Sequence, residues 1–341
     1  FLYYRMVLNF QKDTSLLPYN TFGIDVKSKH FVSVKSIDEL QAVLNQNQQE
    51  NLLVLGGGSN LLLTKDFEGL TLRIQNRGIE ILEQDDRKAR VKVAAGENWH
   101  DFVLWCLEND LGGVENLALI PGNVGAAPIQ NIGAYGVELR EVFESCKAIS
   151  IDTGKVKIFK KDECDFGYRN SIFKNTLKGK YIIFSVQFNL NKPPHALNIS
   201  YKGLYKKLEG KILNIQSIAQ AVIEIRSSKL PDPKKIGNCG SFFKNPVIPL
   251  IQFNDLKHQY PDIPHYPDQI DKIKIPAAWL IDTLGYKGYR NHEAGVHPNQ
   301  ALVLVNYGNA TGAEIKKLAQ QIRNKVKKKF GINLEFEVNI L

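Results

Sequence analysis

The spacing of apolar side chains changes period along the chain and so marks its elements. Residues 31–34 (FVSV) read as a short strand, and Ser36 with Glu39 three residues later forms a capping box. Ile37, Leu40 and Leu44 then recur at helical spacing, and residues 51–55 are an apolar strand. Alternating or continuous apolar runs at 70–74, 79–82 and 91–94 predict three more strands, and 99–107 predicts a helix. Strands follow at 143–151, 155–159 and 181–189, and a helical stretch at 218–225 runs into two prolines at 228–234, a domain boundary. Beyond it, 277–284 reads as a helix and 301–305 as a buried strand. Thr311 and Glu314 form a second capping box, opening a helix with Ile315, Leu318, Ile322 and Val326 on one face. Its basic tail, 325–329, suits a helix C-terminus. The chain closes on a strand, 334–338, whose period of two puts Glu335 and Glu337 on one face. Strands and helices mixed in this order indicate an α+β fold.

Two stretches break these periods. Residues 115–140, ENLALIPGNVGAAPIQNIGAYGVELR, hold Gly122, Gly125, Gly133 and Gly136, and no lysine follows until Lys147. Such a run offers main-chain N–H groups for close approach to a large polar ligand, with Val124, Ile129, Ile132 and Val137 able to press on a flat ring. A glycine-rich turn without a ligand has the same composition. At the end of the strand 51–55 comes GGGSN (56–60), where successive N–H groups can converge on an anion or merely make a turn. It is neither a P-loop nor a GxGxxG fingerprint. Arg169 stands among aromatics at 165–174, placed to grip a ligand carboxylate or to cap a structural one. Ser241 lies beside Gly240 on an apolar turn, with no GxSxG elbow around it.

Composition narrows the classes. With 43% hydrophobic and 23% charged residues in 341, the chain is an ordinary globular protein of two or three domains. The net charge of +9 favours an acidic partner, a phosphorylated metabolite or a nucleic acid, or serves solubility alone. No basic–aromatic stripe or nucleic-acid motif is present. Cys106, Cys146, Cys164 and Cys239 have no metal-ligand spacing and are expected as reduced thiols. No apolar run reaches membrane-spanning length. The start, FLYYRMVLNF, is too short for a signal peptide, and Met6 is read as the true first residue, so a cytoplasmic protein is expected.

The stretches NTFGID (20–25), GGGSN (56–60), AGENWH (95–100), residues 115–139, FGYRNSIFK (166–174), KLPDPK (229–234), GSFFKNP (240–246) and LEFEV (334–338) together resemble the UDP-N-acetylenolpyruvoylglucosamine reductases. These are flavoenzymes of peptidoglycan precursor synthesis, a process serving cell-wall biogenesis, cell shape and division. The eight matches run in order over nearly the whole chain.

The resemblance implies a two-subdomain FAD-binding region of the vanillyl-alcohol-oxidase (PCMH) type, about 22–192, plus a C-terminal α+β substrate-binding domain. Its divisions would be 20–65 with 332–341, then 66–227, then 228–331. Non-covalent FAD would rest on Gly56, Gly57, Gly58, Ser59, Asn60, Gly122, Val124 and Gly125, with Ala126, Ile129, Ile132, Gly133 and Ile183 along the flavin. NADPH would reduce FAD, leave, and be replaced by the enolpyruvyl nucleotide. Arg169, Ser241 and Glu337 would be catalytic: carboxylate grip, proton donor to C2, and support for the developing enolate. Tyr168, Tyr201, Lys229, Asn245 and Gln300 would bind substrate, in the subtype whose tyrosine-bearing loop folds over the nucleotide. The enzyme would be a monomer, binding neither metal nor nucleic acid and not inserting in a membrane. Phe336 and Cys239 depart from the family's usual proline and small residue. A substrate oxidase with tethered flavin is the competing class, with His100 and Cys106 the nearest tether candidates.

Overall fold

The computed structural model describes residues 8–47 and 51–341; Met6 lies outside them. The chain folds into two units, one from the chain up to Thr14, Ser28–Gly57 and Phe67–Arg226, the other from Ser15–Lys27, Gly58–Asp66 and Ser227–Leu341.

In the first unit the strands Lys27–Val34 and Leu52–Leu55 flank Phe67–Ile74 in parallel, with Gln11–Ser15 at the outer edge. Helix α1 (Ile37–Gln46) crosses between parallel strands, as such a pairing requires. Its Ser36–Glu39 capping box is formed, contributing about 1 kcal/mol. A second, antiparallel sheet runs Val156–Lys160, Phe143–Ser150, Tyr181–Asn191, Lys88–Ala94, Ile79–Gln84.

Its central strand, YIIFSVQFNLN, opens with the apolar run Ile182–Phe184, then alternates apolar with polar residues, and serves two cores. Ile182 and Phe184 pack with Val32, Leu40 and Leu72, while Ile183, Val186, Phe188 and Leu190 pack with Trp99, Phe102 and Val124. Strict alternation would put Ile183 and Val186 on opposite faces. A bulge resolves the conflict: Ala148 pairs with Ile183 and Lys147 with Ser185, leaving Phe184 as the extra residue. The Phe184 carbonyl accepts from Ala95 N–H (3.0 Å) and from Asn76 Nδ2 (2.7 Å). This ties the 95–97 turn, which holds the glycine-rich segment, to the bulge. Helices α2 (Trp99–Glu108), α3 (Lys202–Leu208) and α4 (Ile215–Lys229) complete the unit, apart from the last three residues of α4.

In the second unit, α5 (Leu250–Gln259), α6 (Ala277–Thr283) and α7 (Gly312–Phe330) accompany two three-stranded sheets. Helix α7 begins at its Thr311–Glu314 capping box and ends at Gly331, which takes φ +68°. Ile315, Leu318, Ile322, Val326 and Phe330 are buried along one stripe, each stabilising by about 1.5–3 kcal/mol. Two expected strands are shorter than their patterns. The strand at 301–305 is Leu304–Asn306, preceded by a turn. Residues 334–338 pair only at Phe336, opposite Phe243, and the regular strand is Asn339–Ile340, parallel to Leu61–Leu62. The reason is packing: the Phe336 ring lies 5.6 Å from Phe242 and 5.5 Å from Phe243, with Arg323 over it at 4.8 Å. Glu335 is therefore turned to Lys244 at 2.8 Å on the surface.

Candidate functional site

In the first unit the two glycine motifs meet. A Cβ on Gly57 would lie 2.9 Å from the Gly122 Cα and from Asn123 Oδ1, so the turns touch through backbone. Residues 122–125 are zipped onto the AGENWH turn. Trp99 N–H donates to the Gly122 carbonyl (2.9 Å), Val124 N–H to Glu97 (2.9 Å) and Gly125 N–H to Ala95 (2.9 Å). The Asn123 amide donates to the Gly96 carbonyl at 3.1 Å. Glycine at 125 is therefore needed for packing: a Cβ there would stand 2.5 Å from that of Ala95. Along GGGSN, the N–H groups of Gly57, Gly58 and Ser59 meet no acceptor among the described residues. Gly58 takes φ +61°, a conformation glycine adopts without strain. Three successive donors at a strand end fit a phosphate of the FAD diphosphate.

Of the apolar residues expected along the flavin, Val124, Ile132 and Ile183 are buried in the core, and Ala126 and Ile129 keep exposed surface. Arg169 is brought onto the glycine-rich segment: its Nη2 donates to the Gly133 carbonyl at 2.6 Å. Its backbone takes φ +51°, a costly conformation for a side-chain-bearing residue, held by the 167–170 bridge. Buried Asn131 secures this turn, donating to the Gly167 carbonyl (3.0 Å) and to Glu138 Oε2 (3.0 Å). The Tyr168 ring faces the guanidinium at 5.3 Å. Tyr201 precedes α3, 39% exposed, with its ring edge-on to Tyr135 at 5.1 Å. Tether chemistry has poor footing: Cys106 is enclosed in the core, and His100 Nδ1 accepts the Leu119 N–H at 3.0 Å.

In the second unit, Gly240 (φ +72°) carries the chain to Ser241, which bridges to Val303. Buried Asn238 shapes this turn, its Oδ1 accepting the Gly240 N–H at 3.0 Å. Glu337 lies on the adjacent segment, its N–H donating to the Phe242 carbonyl at 2.9 Å. Its own carbonyl accepts from Asn60 Nδ2 at 3.3 Å, which joins the end of GGGSN to the Glu337 segment. Burial pushes the Cys239 thiol pKa well up, and the Glu337 charge adds to it, so Cys239 is an inert neighbour. Asn245 uses Oδ1 to accept the first N–H of α6, at 2.9 Å from Ala277, and Gln300 Oε1 accepts from Leu302 N–H at 3.3 Å. Lys229, the last residue of α4, is exposed. Within one unit, then, Gly56, Gly57, Gly122, Gly125, Gly133, Tyr168 and Arg169 gather on one segment. Within the other, Asn60, Ser241 and Glu337 do.

Tyr135, Leu119 and Arg226 carry no signal of their own in the sequence. Leu119 takes φ +59° and is clamped on both sides, by His100 at its N–H and by Arg226 Nε at its carbonyl (3.3 Å). No apolar period marks Arg226, and Tyr135 was hidden inside the glycine run.

Comparison with known proteins agrees with this geometry. Residues 28–160 match the FAD binding domain model, and 232–341 match that of the UDP-N-acetylenolpyruvoylglucosamine reductase C-terminal domain. The UDP-N-acetylenolpyruvoylglucosamine reductases of Flavobacterium johnsoniae and Amoebophilus asiaticus are each 48% identical, covering 98% of this chain and 100% of theirs. The crystal structure of UDP-N-acetylenolpyruvylglucosamine reductase from Thermus caldophilus shares the fold, with TM-score 0.67 and 22% identity over 98% of each chain. The chain thus belongs to the UDP-N-acetylenolpyruvoylglucosamine reductase family and is an oxidoreductase with an FAD-binding domain.

Proposed function

We propose that this enzyme reduces the enolpyruvyl group of UDP-N-acetylenolpyruvoylglucosamine to give UDP-N-acetylmuramate, with NADPH as hydride donor. FAD, when bound, would rest on Gly56–Asn60 and Gly122–Gly125 and would supply the hydride-transfer chemistry between NADPH and C3 of the enolpyruvyl group. The protein's own residues bind, orient and move the proton. Arg169 grips the substrate carboxylate by a bidentate pair, held in place by its bond to the Gly133 carbonyl. Reduction places negative charge on C2 and the carboxylate, and Glu337 supports it. Ser241 donates a proton to C2, and a water relay restores it. Lys229 and Tyr201 hold the diphosphate, with Tyr168 beside them, and Asn245 and Gln300 hold the sugar and uridine. Val124 and Ile183 meet the cofactor through backbone, since their side chains are buried.

The divisions 20–65 with 332–341, 66–227 and 228–331 are proposed as two cofactor subdomains and one substrate domain. Cytoplasmic residence, a monomeric state and a part in cell-wall synthesis belong to the same reading. Among the described residues no helix is long and apolar enough to cross a membrane.

The observation carrying this reading is the run of unaccepted donors Gly57–Ser59, in a turn whose Gly57 lies against Gly122. Purified holoenzyme should be yellow and consume NADPH steadily only with the enolpyruvyl nucleotide present. Consumption that ignores the nucleotide would refute the substrate.

A further inference from the structure

Within the first unit, the five-stranded sheet carries a depression on the face turned away from the Trp99 core. One row across its strands runs Lys147, Ser185, Ala94, with Lys147 paired to Ser185 and Ser185 to Ala94. The row continues to Gly78, whose carbonyl accepts the Ala94 N–H at 2.9 Å. Three small residues in succession stand lower than their neighbours and floor a cavity of about 340 Å³. Four cations, Lys35, Arg77, Lys92 and Lys147, surround it, against the single carboxylate of Glu80. Glu80 is taken by Lys92 at 3.0 Å, and Arg77 pairs with Glu97 at 3.1 Å. The Lys35 and Lys147 ammonium groups have neither ion pair nor hydrogen bond among the described residues, although Lys147 is half-buried. The hydroxyl of buried Ser185 has no partner there either. Like charges crowded at one depression repel, and a half-buried ammonium without a partner is costly. An anion relieves both. None of the residues assigned to flavin or substrate lines this cavity.

We propose that this depression is a second anion site, separate from the flavin and substrate positions, for the phosphomonoester of a small metabolite. Lys147 and Lys35 supply the unpaired charge and the Ser185 O–H a neutral donor, so each bond to a phosphate dianion is charge-assisted. Lys92 and Arg77 already hold carboxylates and add positive potential at the rim. Ligand sites span about 300–1,000 Å³, and this cavity stands at the small end. It takes a phosphate with one sugar or one base, not a dinucleotide. Phe184 and Ile37 in its wall give that group an apolar surface to lie against. The proposal does not depend on the reductase reading.

The test is isothermal titration calorimetry of the FAD-loaded enzyme, with inorganic phosphate, glucose 1-phosphate and AMP as separate titrants. Salt is held at about 0.15 M, which screens exposed charges beyond about 8 Å. One of the two esters should bind more tightly than inorganic phosphate, and which one does so tells sugar from base. Lys147→Met should weaken that ester about 10- to 100-fold, the size of a lost charge-assisted bond. Ser185→Ala should weaken it about three- to tenfold. Ala94→Leu fills the floor without changing charge and should abolish binding. Lys229→Ala should leave the ester Kd unchanged. Turnover with NADPH and the enolpyruvyl nucleotide should stay near the parent value in Lys147→Met and Ser185→Ala.

Ester binding that survives Lys147→Met, or that Lys229→Ala removes, puts the anion elsewhere and overturns the proposal. Inorganic phosphate binding as tightly as either ester would make the depression an adventitious ion site only, which also overturns it. So does a parent enzyme that binds no titrant. Should Ala94→Leu lose its flavin or its fold, Lys147→Met and Lys35→Met decide, because both stand at the rim and keep the length of the side chain. If the parent binds an ester in a Lys147-dependent way but ignores the enolpyruvyl nucleotide, the reductase reading fails and this inference stands. If it turns over the nucleotide and binds no ester, the reverse holds.

Discussion

The glycine-rich segment around Gly122–Gly133 and the turn around Ser241 are both short, irregular and glycine-bearing, yet they are built oppositely. The first is an assembly of backbone. Its hydrogen bonds run main chain to main chain onto Ala95, Glu97 and Trp99, and its glycines are fixed by what stands against them. The second displays side chains from a scaffold. Phe242 and Phe243 are buried anchors, and Ser241 and Glu337 stand on neighbouring segments joined by two backbone bonds, Glu337 N–H to the Phe242 carbonyl and Lys244 N–H to the Glu335 carbonyl. Substitutions in the first should therefore act on folding and flavin together, whereas in the second they should act on chemistry alone.

The largest effect should come from Gly125→Val, whose side chain meets Ala95, giving colourless, destabilised protein. Overpacking of this kind costs about 1–3 kcal/mol or more. Flavin-to-protein ratio and Tm check it. Gly125→Ala combined with Ala95→Gly should regain flavin that Gly125→Ala alone loses, because the clash is between the two Cβ atoms. No regain would mean the position serves the cofactor directly.

Ser241→Ala should next slow reoxidation of reduced flavin by the nucleotide about 10²–10⁴-fold, the usual loss for a general acid. NADPH-driven bleaching and Tm should stay near the parent values. Rapid mixing of each half separately measures this, and equal slowing of both halves would remove the proton-donor role. Lys229→Ala should raise the nucleotide KM about tenfold with kcat little changed, as loss of one exposed diphosphate contact implies. An unchanged KM takes Lys229 out of the site.

The smallest effect concerns pH. Burial lowers the His100 pKa, with Arg226 acting in the same direction and Asp101 against, and neutral Nδ1 is the acceptor for Leu119 N–H. A depressed folded pKa means this stabilisation is complete above the ordinary imidazole value of about 6.5 and fades as pH falls below it. Tm should drop by a few degrees between about pH 7 and pH 5, and less in His100→Asn, which keeps an acceptor that does not titrate. Parallel curves for the two proteins would contradict this.

Much of the fold was legible because local rules agreed with it. Both capping boxes formed where Ser36–Glu39 and Thr311–Glu314 stood, and the stripe from Ile315 to Val326 is buried as its period required. The bulge at Phe184 was not legible: it arises from two cores competing for one strand, which no single period encodes. The strand expected at 334–338 shrank to a single bridge at Phe336, whose ring packs edge-on and tilted against Phe242 and Phe243 where a ladder would run. Arg169 was visible as an arginine among aromatics. Arg226 was not, since only tertiary packing brings it to Leu119.

A single anaerobic turnover in D₂O tests the central claim most directly. Enzyme carrying reduced FAD is mixed with the enolpyruvyl nucleotide, and the flavin band and the product are followed. The flavin should reoxidise at a rate at least equal to steady-state turnover, and each product molecule should carry one solvent deuterium at C2. A flavin that stays reduced, or product without solvent deuterium at C2, would contradict the assignment.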